Sequence, residues 1–71
     1  MVNIYICDDS VDFRQMLGQF LKKQIPLIFP DTLEWKIEAE FDSGKELLKH
    51  METNSADVLF LDIDMPEMNG F

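Results

Sequence analysis

The chain has 71 residues, a formal net charge of -8 and a hydrophobic content of 46%, a composition that predicts one small folded domain and argues against a disordered segment. Nucleic acids and anionic membranes bind clustered Lys and Arg, but six such residues stand against 14 acidic ones, so neither partner is expected for this segment. A lone cysteine cannot form an internal disulfide, and the sequence has no signal peptide or long apolar run, which favours a reducing, cytoplasmic setting.

The first two predicted elements are a strand and an amphipathic helix. Val2 to Cys7 reads VNIYIC, and because neither face of that strand would carry a charge, it is typical of a central strand in a parallel sheet. Ser10 then offers a candidate N-cap. From Phe13 to Leu21 apolar side chains recur at helical spacing with polar residues between them, which predicts a helix with one face on the core.

Two prolines mark the end of this helix. Pro26 and Pro30 follow the periodic stretch, and a proline inside a helix removes a main-chain hydrogen bond and clashes with the preceding turn. The helix is therefore expected to stop near Gln24 or to bend. The segment from Ile25 to Trp35 is expected to be an irregular apolar flap over the core.

The next stretch alternates strictly between apolar and charged residues. Lys36 to Phe41 would place its apolar side chains on one face and its charged ones on the other, as a strand with one face in water does. The apolar side chains are those of Ile37, Ala39 and Phe41. The pattern predicts an edge strand.

A capping motif begins the second predicted helix. Ser43 and Glu46 have the S-x-x-E spacing of a capping box, in which each side chain satisfies a main-chain N–H of the other residue. The helix is expected to end near Asn54. His50 falls at a polar position of this helix, so its side chain is expected to be solvated.

The third strand, like the first, leads directly into aspartate. Val58 to Leu61 is an uncharged run that predicts a buried strand, and Asp62 follows it. Asp8 and Asp9 follow the first strand in the same way. The order β, α, β, α, β predicts an α/β fold, in which the carboxyl ends of adjacent parallel strands meet at the ligand-binding edge of the sheet. Each acid alone is explained as a strand-end cap, but three together repel one another and favour a bound cation.

Three motifs in this order resemble the N-terminal part of a bacterial two-component response-regulator receiver domain: ICDDS, FDSGKELL and VLFLDIDMPEMNG. The cysteine before the acid pair and the FDSG start of the second helix are similar to receivers of the LytTR class. The resemblance covers residues 1–71 and implies a truncated flavodoxin-like βαβαβ unit. This unit comprises the first three strands and the first two helices of a receiver, with a parallel sheet in the strand order 2-1-3.

The resemblance also implies a site. Asp62 corresponds to the aspartate that a sensor histidine kinase phosphorylates, which makes the chain a phosphoacceptor and not an enzyme acting on a separate substrate. Mg²⁺ or Mn²⁺ would be bound by Asp9, Asp62 and the main-chain carbonyl of Asp64, while Asp8 would hold the metal through water. These are the hard oxygen ligands that such ions prefer.

The later elements of the family have no counterpart in this sequence. A receiver has five strands and five helices, with a switch hydroxyl after the fourth strand and a lysine after the fifth, and this chain provides about the first half. It is therefore expected not to switch on its own. DNA binding is implied only through a separate C-terminal output domain of a transcriptional regulator.

Two other interpretations stay open. FLDIDM also resembles the D-x-D motif of haloacid-dehalogenase-type phosphohydrolases, with Asp62 as nucleophile and Asp64 as general acid and base. That interpretation leaves the N-terminal acid pair unexplained. In the other, the chain is an inert structural segment whose acids only cap helices.

The uncharged third strand also predicts self-association. Val58 to Leu61 has none of the Lys or Pro residues that protect the exposed edges of natural sheets. The simplest expected assembly is a two-fold dimer in which the third strands, or the surfaces beside them, meet.

Overall fold

A computed structural model of the chain describes residues 1–62, and five elements alternate along it: β1 (Val2–Cys7), α1 (Val11–Ile28), β2 (Trp35–Phe41), α2 (Gly44–His50) and β3 (Val58–Leu61). Both strand pairs are parallel, and the sheet has the order β2-β1-β3. The predicted α/β fold with strand order 2-1-3 is therefore confirmed. No helix in the described part of the chain is long and apolar enough to cross a membrane.

β1 lies in the centre of the sheet and is buried on both faces. Its side chains alternate between two apolar clusters, one under each helix. The α1-side cluster contains Ile4, Ile6 and Leu21, and the α2-side cluster contains Tyr5, Cys7 and Leu47. Because full burial of one Leu or Ile side chain contributes roughly 1.5–3 kcal/mol, this single strand stabilises both layers of the fold.

A β-bulge divides β2 between the two faces of the sheet. Ile4 of β1 pairs with Ile37, whereas the residue after Ile4 pairs with Ala39. Glu38 is therefore an extra residue, and it reverses the alternation of faces along the strand. Trp35 and Ile37 pack on the α1-side cluster, and Ala39 and Phe41 pack on the α2-side cluster. The prediction that the apolar residues of β2 share one face is wrong, although β2 is the predicted edge strand of the described sheet.

α1 continues past its predicted end. It includes Pro26 and stops at Ile28 rather than near Gln24. Pro26 has no N–H, so one helical hydrogen bond is lost near the end of α1. The N–H of Phe29 still donates to the Ile25 carbonyl at 2.9 Å, so the helix closes normally one residue later.

The connection after α1 covers the core only in part. Ile25 and Trp35 pack against the α1-side cluster, but Leu27 and Ile28 are 75% and 68% exposed. The prediction of an apolar flap is wrong for Leu27 and Ile28, because α1 continues through them and turns their side chains away from the sheet.

α2 begins as predicted but ends at His50 rather than near Asn54. The Ser43 hydroxyl accepts a hydrogen bond from the Glu46 N–H at 3.2 Å, as an N-cap does. At the other end the Asn54 side chain donates to the His50 carbonyl at 3.1 Å. A side-chain donor thus satisfies one of the carbonyls left open where the helix stops.

The prediction that His50 is solvated is wrong. The centroid of its ring lies 5.2 Å from those of both Tyr5 and Phe41. His50 follows the buried Leu47 by three residues, a spacing that places both side chains on the same helix face, towards the sheet. His50 Nε2 and the Tyr5 hydroxyl are buried and have no hydrogen-bond partner among residues 1–62.

β3 forms at its predicted residues but is less buried than expected. Phe60 packs against the α1-side cluster, whereas Val58, Leu59 and Leu61 are 38%, 37% and 36% exposed. Within residues 1–62, β3 pairs with β1 along one edge and no strand pairs with the other. Its apolar sequence therefore forms an exposed sheet edge.

Alkaline pH should weaken the fold through Tyr5. Burial raises the pKa of the Tyr5 hydroxyl, and the nearby Glu38 carboxylate raises it further. Because the folded state favours the neutral phenol, this group leaves the free energy of unfolding unchanged below the ordinary tyrosine pKa of about 10 and lowers it as the pH rises above that value. Urea unfolding at neutral and alkaline pH should show that Tyr5→Phe removes this loss.

The same substitution should not lower the melting temperature at neutral pH. It removes a buried hydroxyl that has no partner among the described residues, and an unsatisfied buried polar group destabilises a fold. An equal alkaline loss of stability in the wild type and in Tyr5→Phe would contradict the role given to this phenol.

Candidate functional site

The carboxyl ends of β1 and β3 bring three aspartates together. Cys7 pairs with Leu61 in the parallel register, so the residues that follow them lie side by side. One oxygen from each of Asp8, Asp9 and Asp62 lies within 4.8 Å of the other two. The three acids therefore meet at the edge where open α/β sheets bind ligands, as the sequence predicts.

Main-chain hydrogen bonds continue from the strands into these aspartates. The Asp62 N–H donates to the Cys7 carbonyl at 3.0 Å, and the Asp8 N–H donates to the Phe41 carbonyl at 3.0 Å. The hydrogen bonding with β2 thus extends one residue beyond β1, and that with β1 extends one residue beyond β3. The positions of Asp8 and Asp62 are therefore fixed by the sheet itself and do not depend on the conformation of a long loop.

The three aspartates differ in their surroundings. Asp8 is buried, with 8% of its surface exposed, and its Oδ1 accepts a hydrogen bond from the Ser10 N–H at 2.8 Å. Ser10 in turn caps α1, because its hydroxyl accepts from the Phe13 N–H at 3.2 Å. Asp62 is half-buried and Asp9 is exposed. Asp8 therefore joins the site to the start of α1, and the other two carboxylates are more accessible.

The donor set fits a hard divalent cation. Mg²⁺ prefers oxygen ligands in octahedral geometry, keeps several waters and is commonly bound by one or two carboxylates. Two bare carboxylates about 4 Å apart repel one another by about 1 kcal/mol in water, and by more where the site is partly buried. A cation among Asp8, Asp9 and Asp62 would replace this repulsion with attraction. The Asp64 carbonyl, the further ligand implied by the sequence, lies outside the described residues.

A groove opens beside the acids. It has a volume of about 370 Å³, and Phe13, Leu17 and Phe60 line it together with Asp8 and Asp62. The apolar walls shield one side of the acidic cluster from water, which strengthens charge interactions there. A larger groove of about 800 Å³ between α1 and β2 contains none of the three aspartates.

Cys7 is a small residue of the core, next to the acidic cluster. It is 1% exposed, and its Sγ donates to the Ser43 carbonyl at 3.5 Å. Burial raises the pKa of the Cys7 thiol, the neighbouring Asp8 carboxylate raises it further, and the Arg14 guanidinium partly opposes both effects. The thiol is therefore kept in its protonated, weakly nucleophilic form next to the site.

Arg14 belongs to this site although the sequence pattern does not distinguish it from the other polar residues of α1. Its Nη1 donates to the Asp8 carbonyl at 2.6 Å, and its Nε lies 3.3 Å from Glu40 Oε1 in an ion pair. Both contacts depend on which strand ends lie opposite α1, so no pattern in the sequence of the helix identifies Arg14.

Comparison with known proteins finds relatives along almost the whole chain. A family model described as the response regulator receiver domain matches residues 4–71. The protein-glutamate methylesterase/protein-glutamine glutaminase of Bacillus subtilis is 36% identical over 72 aligned positions, which cover 99% of this chain and 17% of that protein. The chemotaxis protein CheY of Listeria monocytogenes is 30% identical over 70 residues, covering 99% of this chain and 51% of that protein.

A second methylesterase/glutaminase, from Treponema denticola, is 33% identical over 69 residues, or 97% of this chain and 16% of that protein. The chain thus spans about half the length of the CheY relative and less than a fifth of the methylesterases. No solved structure matches the chain at a significant level.

Proposed function

Because the chain belongs to the response regulator receiver domain family, we propose that it is the phosphoacceptor part of a two-component signalling protein and that Asp62 receives the phosphoryl group from a sensor histidine kinase. One observation carries the proposal: Asp8, Asp9 and Asp62 place a carboxylate oxygen each within 4.8 Å of one another. This convergence at the ligand-binding edge of the sheet is what a metal-assisted phosphoryl transfer to a carboxylate requires.

Asp62 is the best placed of the three acids to be the acceptor. Asp8 is buried and bonded to the Ser10 N–H, and Asp9 is exposed to solvent. Asp62 is half-buried and borders the apolar groove, so a phosphoryl donor can approach it while water is partly excluded. In the transfer, an Asp62 oxygen forms a bond to phosphorus as the bond from phosphorus to the histidine nitrogen breaks.

We further propose that Asp9 and Asp62 bind Mg²⁺ or Mn²⁺ directly, with Asp8 acting through water and the Asp64 carbonyl as a further ligand. When bound, the ion offsets the negative charge that builds up as a phosphoryl group approaches a carboxylate. The chain itself contributes position and shielding: the sheet holds the carboxylates in place, and the groove walls limit the access of water.

The alternative functions have less support. A haloacid-dehalogenase-type hydrolase would use Asp62 and Asp64 and would leave Asp8 and Asp9 without a role, although the fold gathers them beside Asp62. An inert segment would have no use for a metal, so metal binding separates that interpretation from the receiver.

The protein that carries this receiver is a separate question. The relatives are named as a chemotaxis protein and as methylesterases, whereas the FDSG motif and the cysteine before the acid pair resemble LytTR-class transcriptional regulators. We propose a cytoplasmic regulator of the LytTR class, in which any contact with DNA is made by a separate output domain. The net charge of -8 supports placing that contact outside this segment.

Divalent metal should stabilise the chain through the acidic cluster. A ligand that binds only the folded state adds RT ln(1 + [L]/Kd) to the free energy of unfolding, so millimolar Mg²⁺ or Mn²⁺ should raise the melting temperature. Asp62→Asn and Asp9→Ala should each reduce this rise. Asp31→Asn, at an exposed position in the connection after α1, is the matched control and should retain it. An unchanged metal response in an Asp9→Ala, Asp62→Asn double variant would rule out the site.

Phosphoryl labelling should depend on Asp62. Incubation with acetyl phosphate and Mg²⁺ followed by intact-mass measurement should show any acyl phosphate, which alkali then removes. Asp62→Asn should abolish the label, because an amide is not a nucleophile of this kind, and Asp31→Asn should keep the wild-type level. Label that persists in Asp62→Asn would place the acceptor elsewhere.

We also propose that the outer edge of β3 mediates self-association. The strand is uncharged and about a third exposed along most of its length, and an unprotected apolar edge is a template for another chain. Light scattering should detect a dimer, and Leu59→Lys should shift it towards monomer. Leu48→Lys, at an exposed position on α2, is the control and should have little effect. A monomer at every accessible concentration would contradict this proposal.

A further inference from the structure

Arg14 connects three elements at the acidic edge of the sheet. From α1 its Nη1 donates to the Asp8 carbonyl at the end of β1, at 2.6 Å, and its Nε pairs with Glu40 of β2 at 3.3 Å. Only 14% of the Arg14 side chain is exposed. A charged group this buried needs partners of opposite charge or hydrogen-bond acceptors, and these two contacts supply both.

The β-bulge is what brings Glu40 within reach of Arg14. Glu40 pairs with Ile6, whose side chain lies in the α1-side cluster, so Glu40 also points towards α1. If β2 alternated regularly from Ile37, with Glu38 paired in register instead of bulged, Glu40 would point to the opposite face of the sheet. Bulges commonly re-aim a side chain next to a functional site, and this one aims the partner of Arg14.

The contact with the Asp8 carbonyl bears on Asp9. That carbonyl belongs to the peptide group that links Asp8 to Asp9, and because the peptide is planar, its orientation sets the direction in which the chain enters Asp9. The Asp8 N–H is held by Phe41 and its carboxylate by Ser10. Asp9 is exposed, so its placement depends on the main chain that Arg14 holds.

We propose that Arg14 is a positioning residue of the acidic site: by fixing the Asp8 carbonyl it orients Asp9 towards a divalent cation. This inference rests on the proposed metal-dependent function. Electrostatics alone predicts the opposite result: removing a nearby positive charge removes its repulsion of the cation and should tighten cation binding. Loss of positioning weakens binding instead.

The test measures Mn²⁺ affinity by electron paramagnetic resonance of the unbound ion, together with the melting temperature without metal. Arg14→Gln should raise the Kd for Mn²⁺ by about tenfold, the range seen when residues that orient metal ligands are removed. Arg14→Lys keeps the charge but lacks the planar fork that reaches two acceptors at once, so it should also raise the Kd. Lys22→Gln removes an exposed positive charge from the same helix and should leave the Kd within about twofold or lower it.

The outcomes separate this inference from the function on which it rests. An unchanged or lower Kd in folded Arg14→Gln or Arg14→Lys, with Mn²⁺ binding still dependent on Asp62, would overturn the positioning role alone. Wild-type chain that does not bind Mn²⁺, or binds it equally after Asp62→Asn, would overturn the proposed metal site and the positioning role with it. If Arg14→Gln does not fold, the charge-conserving Arg14→Lys decides by the same measurement.

Discussion

The parallel pairing of β1 with a strand on each side is the interaction on which the rest of the structure depends. Because β1 is paired along both edges and covered on both faces, its carboxyl end has little freedom to move. Its ladders with β2 and β3 continue into Asp8 and Asp62. A site made of charges that repel one another needs such a rigid support, since its members would otherwise separate into water.

The bulge in β2 lets one half-polar strand serve both layers. A half-polar edge strand that alternates regularly can add apolar side chains to only one face of the sheet. Because of the bulge at Glu38, the apolar side chains before it pack on the α1-side cluster and those after it pack on the α2-side cluster. In a chain of 71 residues this economy matters, because a small domain has few side chains with which to fill two layers. The same irregularity sets the direction of Glu40.

Local chemistry explains what could be predicted from the sequence. The strand β1, the caps Ser10 and Ser43, and the aspartates at strand ends depend on neighbours within a few residues, and each is visible as a pattern. The bulge, the inward ring of His50 and the contact from Arg14 to the Asp8 carbonyl depend instead on which strand or helix lies opposite, and no pattern within one element encodes that. The end of α1 falls between these cases. A proline disfavours helix, but α1 continues for two residues after Pro26.

The shortness of α2 has a consequence for motion. It has seven residues, fewer than a helix needs to be stable in isolation, and its fully buried contribution to the core is Leu47 with Gly44 beside it. Local opening of this helix would therefore need less free energy than opening of the sheet. Such a fluctuation would uncover the ring of Tyr5 and the thiol of Cys7 while the ladders that end in the aspartates stayed closed. The α2 side of the sheet is thus expected to open locally while the α1 side stays closed. Amides of α2 would then exchange their hydrogens with solvent well before those of β1.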